Sequence, residues 1–295
     1  MSGLPLVSVI IPSYNREKVI QRAVDSVLNQ IYRNIELIVV DDCSTDNTID
    51  ILSRIEDKRL IVLRNEKNEG ACVSRNKGIL NSSGEYIAFL DSDDVWDKNK
   101  LENQVNYMME YNYFITYTNY SCNNKKVELN ERYMSKKNLY QVLLYDNHIT
   151  TGILLCKRNI LETNLFDEKL SRFQDWDLVL RLSRKYEFGY IHQVLTYQYI
   201  QKDSITKSTS HKKTYDALKR IYKKNEEEIK EYDQLEAKWK WRMAIHSIFF
   251  DTDITAFKIA FCKGRKIKYF FGYIMAVLKM NRIMCILYEK ILGVI

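Results

Sequence analysis

Residues 35–42 read Ile35-Glu36-Leu37-Ile38-Val39-Val40-Asp41-Asp42. The run is apolar and rich in branched side chains, and it stops on two carboxylates. It is too short for a helix and suits a strand covered on both faces. Upstream, Val7-Ser8-Val9-Ile10-Ile11 is a similar run stopped by Pro12. Between the two, Lys18 to Gln30 has helical spacing, with Val19, Ile20, Ala23, Val24, Val27 and Leu28 on one face. Downstream, Asp46 can cap a helix carrying Ile49, Ile51, Leu52 and Ile55. Leu60–Leu63 is a third strand-like run, Ala71–Leu80 a third helix, and Tyr86–Leu90 a fourth run closed by Asp91-Ser92-Asp93-Asp94. Strands alternating with helices imply a parallel sheet with right-handed crossovers. Ligands of such sheets bind beyond the carboxyl ends of the strands. Those ends are Pro12-Ser13-Tyr14-Asn15, Asp41-Asp42 and Asp91-Ser92-Asp93, so polar and mostly acidic residues gather where a site is expected.

The rest of the chain is less regular. Leu101–Tyr111 and Trp176–Tyr186 read as helices, and Tyr113–Tyr120, Ile153–Cys156 and Leu195–Ile200 as strands. From Lys212 onward Leu218, Ile221, Tyr222, Ile229, Tyr232, Leu235 and Trp239 recur at helical steps, which places a domain boundary near residue 210. The 295 residues carry a net charge of +7, unevenly spread. Residues 1–200 hold 25 Lys+Arg against 27 Asp+Glu, whereas residues 201–295 hold 20 against 11. An anionic partner is therefore expected for the tail and not for the body.

Three acidic groups can carry chemistry. Asp91 and Asp93 lie two residues apart at a strand end, so both side chains point the same way. A divalent cation would join them, and Mg²⁺ or Mn²⁺ suits such oxygen ligands; an acidic capping turn ahead of Val95-Trp96 is the other reading. Asp41-Asp42 can accept hydrogen bonds from a ribose or base, or can serve turn chemistry around Ser44 and Asp46. Asp175, beside Trp176, can act as a general base or cap the helix that it begins.

Several classes are disfavoured. The sequence has no G-x-G-x-x-G after the first strand, no G-x-x-x-x-G-K-[ST], no H-E-x-x-H and no G-x-S-x-G. His148, His192, His211 and His246 are scattered. Cys43, Cys72, Cys122, Cys156, Cys262 and Cys285 form no C-x-x-C pair, which fits reduced thiols in the cytoplasm. Neither a signal peptide nor an apolar run of about 18 residues is present, so a spanning helix is not expected.

Taken together, Val7–Arg16, Glu36–Thr48, Asn68–Gly78, Gly84–Trp96 and Gln174–Leu178 resemble the family 2 glycosyltransferases across residues 7–206. The resemblance implies a GT-A, Rossmann-like α/β fold: a mixed, mainly parallel sheet flanked by helices, with a C-terminal helical extension. It divides the chain into a catalytic domain, 1–210, with a nucleotide-binding half to about 100, and a basic helical region, 211–295. Pro12 and Tyr14 would line a nucleobase pocket, Asp42 would hold the base, and Asn68 and Arg75 would contact the nucleotide. Asp91 and Ser92 would meet ribose or metal, and Asp93 would ligate the metal on the diphosphate. Asp175 matches the family's catalytic base. The implied reaction is an inverting single displacement from a nucleotide sugar, a UDP-sugar, with Mn²⁺ or Mg²⁺, to a glycan or lipid-linked acceptor of a bacterial surface polysaccharide.

Two positions depart from the family pattern. Gln174 stands where Glu is frequent, and Tyr197–Ser204 lacks the Arg and His often found there, leaving Lys202 and Lys207 as substitute cations. A sugar nucleotidylyltransferase is an alternative on a similar sheet, but Pro12-Ser13-Tyr14-Asn15-Arg16 has no glycine for its phosphate loop. A non-catalytic nucleotide-sugar binder is another. In the tail, residues 254–295 hold 8 Lys+Arg and 1 acidic residue around the apolar Tyr269–Leu278. That pattern suits an interfacial helix on the anionic inner face of the plasma membrane, or a helix pair packed on protein, including a second copy of the chain. No nucleic-acid motif accompanies the charge.

Overall fold

The computed structural model describes residues 3–123, 125–127, 139–199, 210–280, 283–284 and 287. The amino-terminal half alternates as expected: β1 (Val7–Ser13), α1 (Ile20–Leu28), β2 (Ile35–Asp41), α2 (Thr48–Ser53), β3 (Leu60–Arg64), α3 (Ala71–Leu80) and β4 (Tyr86–Phe89). There follow β5 (Val95–Trp96), α4 (Lys100–Tyr111), β6 (Ile115–Cys122), β7 (Lys125–Val127), α5 (Leu139–Tyr145), β8 (Leu154–Lys157), α6 (Arg158–Glu162), α7 (Gln174–Ser183) and β9 (Phe188–Gln198). One sheet runs in the order β3-β2-β1-β4-β8-β6-β9-β5, with β7 on β6. Strands β1 to β4 pair in parallel; β8 then runs antiparallel to both β4 and β6, and β9 runs parallel to β6. The sheet is thus the mixed α/β, GT-A-like arrangement.

Strand order reverses at β1. The chain steps from β1 outward to β2 and β3, and α3 then carries it back to β4 on the other side of β1. A crevice opens at such a switch point, outside the carboxyl ends of the strands. Both faces of the sheet are covered at β1, whereas Ile61 and Val62 of the edge strand β3 are exposed. Val7, Val9 and Ile11 of β1 share a core with Ala23, Val24 and Val27 of α1 and with Leu101, Val105 and Met108 of α4. On the opposite face α3 approaches so closely that a Cβ on Gly78 would lie 2.5 Å from Ile10 Cγ2. Glu36, the one charge of β2 before its terminal Asp41, accepts hydrogen bonds from Ser8 Oγ, Ser83 N–H and Ser83 Oγ at 2.5, 2.6 and 2.8 Å.

Strand β9 begins at Phe188, well before the expected Leu195. Its pairing with β6 shifts register between Thr118 and Tyr120. A bulge breaks the period-two pattern, which hides the strand in sequence. β5 and β7 are too short to show a period at all. Position 200, Lys202 and Lys207 lie outside the described residues, as does Cys285.

The chain divides into two units, one comprising residues up to 169 with 174–204, the other 170–173 with 205 onward. The second is helical: α8 (His211–Lys224), α9 (Glu226–Lys230), α10 (Asp233–Ser247), α11 (Ile254–Gly264) and α12 (Ile267–Val277). Leu218, Ile221, Leu235, Trp239 and Phe257 are buried. Asp253 caps α11 by accepting the Ala256 N–H at 2.8 Å. Among the described residues no helix is long and apolar enough to cross a membrane.

Candidate active site

The loops that leave β1 and β2 are tied together by side-chain caps. Asn15 N–H donates to Ser44 Oγ at 2.9 Å, Arg16 N–H to Thr48 Oγ1 at 2.7 Å and Glu17 N–H to Asp46 Oδ2 at 3.0 Å. Thr45 N–H returns the contact to Asn15 Oδ1 at 2.9 Å. Asp46 also accepts the Thr48 N–H at 3.0 Å, although the N-cap position of α2 falls at Asn47 and not at the expected Asp46. Asn15 and Cys43 sit in these loops at φ 52 and 63, and Gly70 at φ 92. Left-handed backbone in side-chain-bearing residues stores strain and concentrates at functional sites.

Both oxygens of Asp42 are engaged within this framework. Oδ1 accepts from Asn65 Nδ2 at 2.8 Å and Glu69 N–H at 2.9 Å, and Oδ2 accepts from Gly70 N–H at 2.7 Å. Asp42 therefore anchors the loop that leads into α3. Its neighbour Asp41 is fully buried; Oδ2 takes the Ser44 N–H at 3.0 Å, while Oδ1 has no partner. Ser13, which is in register with Asp41 across β1 and β2, likewise has a buried hydroxyl with no partner. A buried polar atom without a partner is costly, and here two belong to residues in register at neighbouring strand ends. In sequence Asp41 and Asp42 are indistinguishable, and tertiary bonding separates them. Pro12 is buried in β1, whereas Tyr14 and Asn68 are exposed.

Arg75, on α3, draws the next group together. It is buried; Nη2 donates to Asp91 Oδ1 at 2.7 Å and Nη1 to Gln174 Oε1 at 3.1 Å. The guanidinium lies 5.4 Å over the Phe166 ring. Three segments far apart in sequence thus meet on one side chain. Asp175 follows Gln174 at the start of α7, where its Oδ1 accepts the Trp176 N–H at 2.8 Å. Desolvation raises the Asp175 pKa above the ordinary carboxylate value; hydrogen bonds from Trp176 and Asn147 and the charge of Arg75 oppose that shift, and Asp91 adds to it. Asn147, on the loop after α5, carries no motif that could have announced this contact.

Ser92 is buried, while Asp91 and Asp93 keep part of their surface. Arg22 Nη2 donates to the Asp93 backbone carbonyl at 2.6 Å. Asp94 is buried beneath them, with Oδ1 accepting the Tyr199 N–H at 3.0 Å. Burial, followed by the charges of Asp91 and Asp93, pushes its carboxyl up to about 8. Crowded carboxylates of this kind fit a divalent cation. Among the described residues no three His, Cys, Asp or Glu side chains are arranged to hold one by themselves. Mg²⁺ and Mn²⁺ are in general bound by only one or two carboxylates together with phosphate oxygens and water.

The mixed sheet with its switch point at β1, its acidic strand ends and its Arg-linked carboxylate cluster make this an α/β protein of GT-A-like architecture. The sequence matches the description "Glycosyl transferase family 2" over residues 8–163, and the chain belongs to that family. The matched span ends before Gln174 and Asp175. Escherichia coli WfaP, a UDP-Glc:alpha-D-GlcNAc-diphosphoundecaprenol beta-1,3-glucosyltransferase, is 45% identical over 117 residues, 40% of this chain and 47% of WfaP. The chain thus spans about half the length of that relative. Among solved structures, S. aureus TarS 1-349 in complex with UDP-GlcNAc superposes with TM-score 0.65 at 21% identity, covering 92% of this chain and 79% of TarS. The mannosyltransferase PcManGT of Pyrobaculum calidifontis, in complex with GDP-Man and Mn2+, gives TM-score 0.61 at 18% identity, covering 98% and 89%. At those identities the two structures establish the fold.

Proposed function

We propose that the protein is an inverting glycosyltransferase that moves a sugar from a UDP-sugar to a hydroxyl of a glycan or lipid-linked acceptor in cell-surface polysaccharide biosynthesis. The observation that carries this reading is Arg75 bridging Asp91 and Gln174 next to the desolvated Asp175. Asp175 takes the proton of the acceptor hydroxyl, whose oxygen attacks the anomeric carbon from the face opposite the diphosphate. Asn147 and the Trp176 N–H hold its carboxylate in place. Arg75 and Asp91 orient the nucleotide, and exposed Tyr14 offers a face for the base above Pro12. The uracil N–H finds its acceptor at Asp42 or at the orphaned Asp41 Oδ1 beside Ser13. Asn68 and Ser92 complete the nucleotide contacts. Asp93 and Asp91 would hold Mn²⁺ or Mg²⁺, which supplies charge neutralisation for the departing diphosphate.

WfaP by its name and TarS by its complex with UDP-GlcNAc support a UDP donor, and PcManGT, in complex with GDP-Man and Mn2+, supports the metal while pointing to GDP. With an acceptor held in the membrane, the enzyme works in the cytoplasm, peripheral on the inner face of the plasma membrane. Family membership sets aside the nucleotidylyltransferase reading. The test is a thermal-shift panel of UDP, GDP, dTDP and CMP with and without Mn²⁺. Stabilisation by UDP that requires Mn²⁺ is expected; stabilisation by GDP alone, or equal shifts for all four, overturns the donor assignment. Unchanged turnover by Asp175→Asn overturns the base.

A further inference from the structure

Helix α12 is apolar on two opposite sides. Tyr269, Gly272 and Ala276 form the buried side. A Cβ on Gly272 would lie 2.4 Å from the Trp241 ring, so the helix is seated by close approach and its rotation is fixed. That rotation turns Ile267, Phe270, Phe271, Ile274 and Leu278 outward, spaced by three, four and seven or eight residues along one stripe. Ile267 is 77% exposed, Phe271 57% and Leu278 62%. A surface helix ordinarily has one apolar face and one polar face. Here the position of the polar face is taken by large hydrophobic side chains.

Charge frames the stripe. Lys266 precedes the helix as its N-cap, Lys268 lies in its first turn, and Lys279 follows its C-cap at φ 54. Between residues 254 and 280 there are six Lys or Arg and no Asp or Glu. Lys263 is committed to Asp233 and Glu236 at 3.1 and 2.5 Å. Lys266 and Lys268 lie against aromatic rings, and none of Lys266, Lys268 and Lys279 has a carboxylate partner among the described residues. Beside the stripe, a cleft of about 330 Å³ is lined by Phe261, Cys262, Arg265, Lys266, Ile267 and Phe270. It is apolar within and cationic at its edge.

We infer that the outward face of α12, with the cleft beside it, docks on an anionic lipid surface. Phe270, Phe271 and Ile274 enter the acyl boundary, and Lys266, Lys268 and Lys279 reach the phosphate headgroups along their methylene stems. The inference extends the peripheral placement under the proposed function by naming the surface and its ligand. It rests on the second unit alone and is independent of the donor chemistry.

The test is sedimentation of the full chain with vesicles of phosphatidylglycerol and phosphatidylcholine, against vesicles of phosphatidylcholine only. Binding is expected on the anionic vesicles, weakening as salt rises. Phe270→Ser with Phe271→Ser removes exposed side chains and is expected to cut that binding at least about tenfold. Lys266→Gln, Lys268→Gln and Lys279→Gln together are expected to cut it roughly a hundredfold at low salt, about fivefold per lysine. Thermal stabilisation by the donor nucleotide stays unchanged in both variants, which separates failure of this inference from failure of the donor assignment. Absence of vesicle binding, or binding that neither variant alters, overturns the proposal. So does a concentration-dependent dimer that Phe270→Ser/Phe271→Ser dissolves without vesicle affinity in either form, which would make the face an interface between copies.

Discussion

Arg75 Nη2 lies 2.7 Å from Asp91 Oδ1, and the same guanidinium reaches Gln174 Oε1 at 3.1 Å. Among the described residues Arg75 forms one direct ion pair, with Asp91, where Glu at 174 would have supplied a second. Asp91 thus compensates the buried cation while sharing it with the segment that presents Asp175.

Arg75→Lys is expected to keep one of the two contacts and lose the other, since an ammonium cannot reproduce the planar fork. Stability falls by roughly 1–3 kcal/mol, tempered because Asp91 is partly exposed. The donor KM rises while the melting transition stays cooperative. Thermal melts together with donor titration check this; an unchanged donor KM would remove Arg75 from the nucleotide site.

The raised pKa of Asp175 has a definite sign for activity. A general base works ionised, so kcat/KM rises with pH through a limb that lies above the ordinary carboxylate range. Desolvation is its main cause. Asp175→Asn removes that limb and lowers kcat by roughly 10²–10⁴-fold, leaving nucleotide stabilisation intact. A pH–rate profile on both forms is the measurement, and a limb that survives in the variant would belong to another group.

Much of this site was legible before any coordinates. Strand ends closed by Asp41-Asp42 and Asp91-Ser92-Asp93 announced the crevice because apolar runs mark parallel strands and polar stops mark their ends. Division of labour within the acidic pairs was not legible. Asp42 spends its oxygens on Asn65, Glu69 and Gly70, whereas Asp41 keeps one orphaned oxygen. Adjacent residues on a strand point to opposite faces, and sequence does not say which face holds the donors. Asn147 and Gln174 enter through contacts that close loops of long span, for which local periodicity carries no signal.

Asp42→Asn separates a structural role from base recognition. The carboxylate accepts three hydrogen bonds, two on Oδ1 and one on Oδ2. An amide has one acceptor oxygen, so at least the Glu69 or Gly70 N–H loses its partner. The expected loss is about 1–3 kcal/mol of stability without any nucleotide present. Denaturant melts of the ligand-free protein decide the point: full stability combined with lost UDP binding would assign Asp42 to the base and not to the loop.

Lys100 supplies a last prediction, away from the chemistry. Its side chain is fully buried at the start of α4, with Nζ bonded to Gln104 Oε1 and 4.5 Å over the Trp96 ring. Burial brings its pKa down to about 7, below the usual lysine value. Between about 7 and the unfolded value near 10.4 the unfolded chain holds a proton that the folded chain has released. Unfolding therefore takes up a proton in that window, and stability gains with rising pH from this group. Lys100→Met removes the ionisation and fills the same slot, so its gain in stability is largest below pH 7, about 1–4 kcal/mol, and shrinks toward pH 10. Melts of both proteins from pH 6 to 10 check the slope. A difference that does not change with pH would mean that the ammonium stays charged in the folded protein, held by Gln104 and the Trp96 ring.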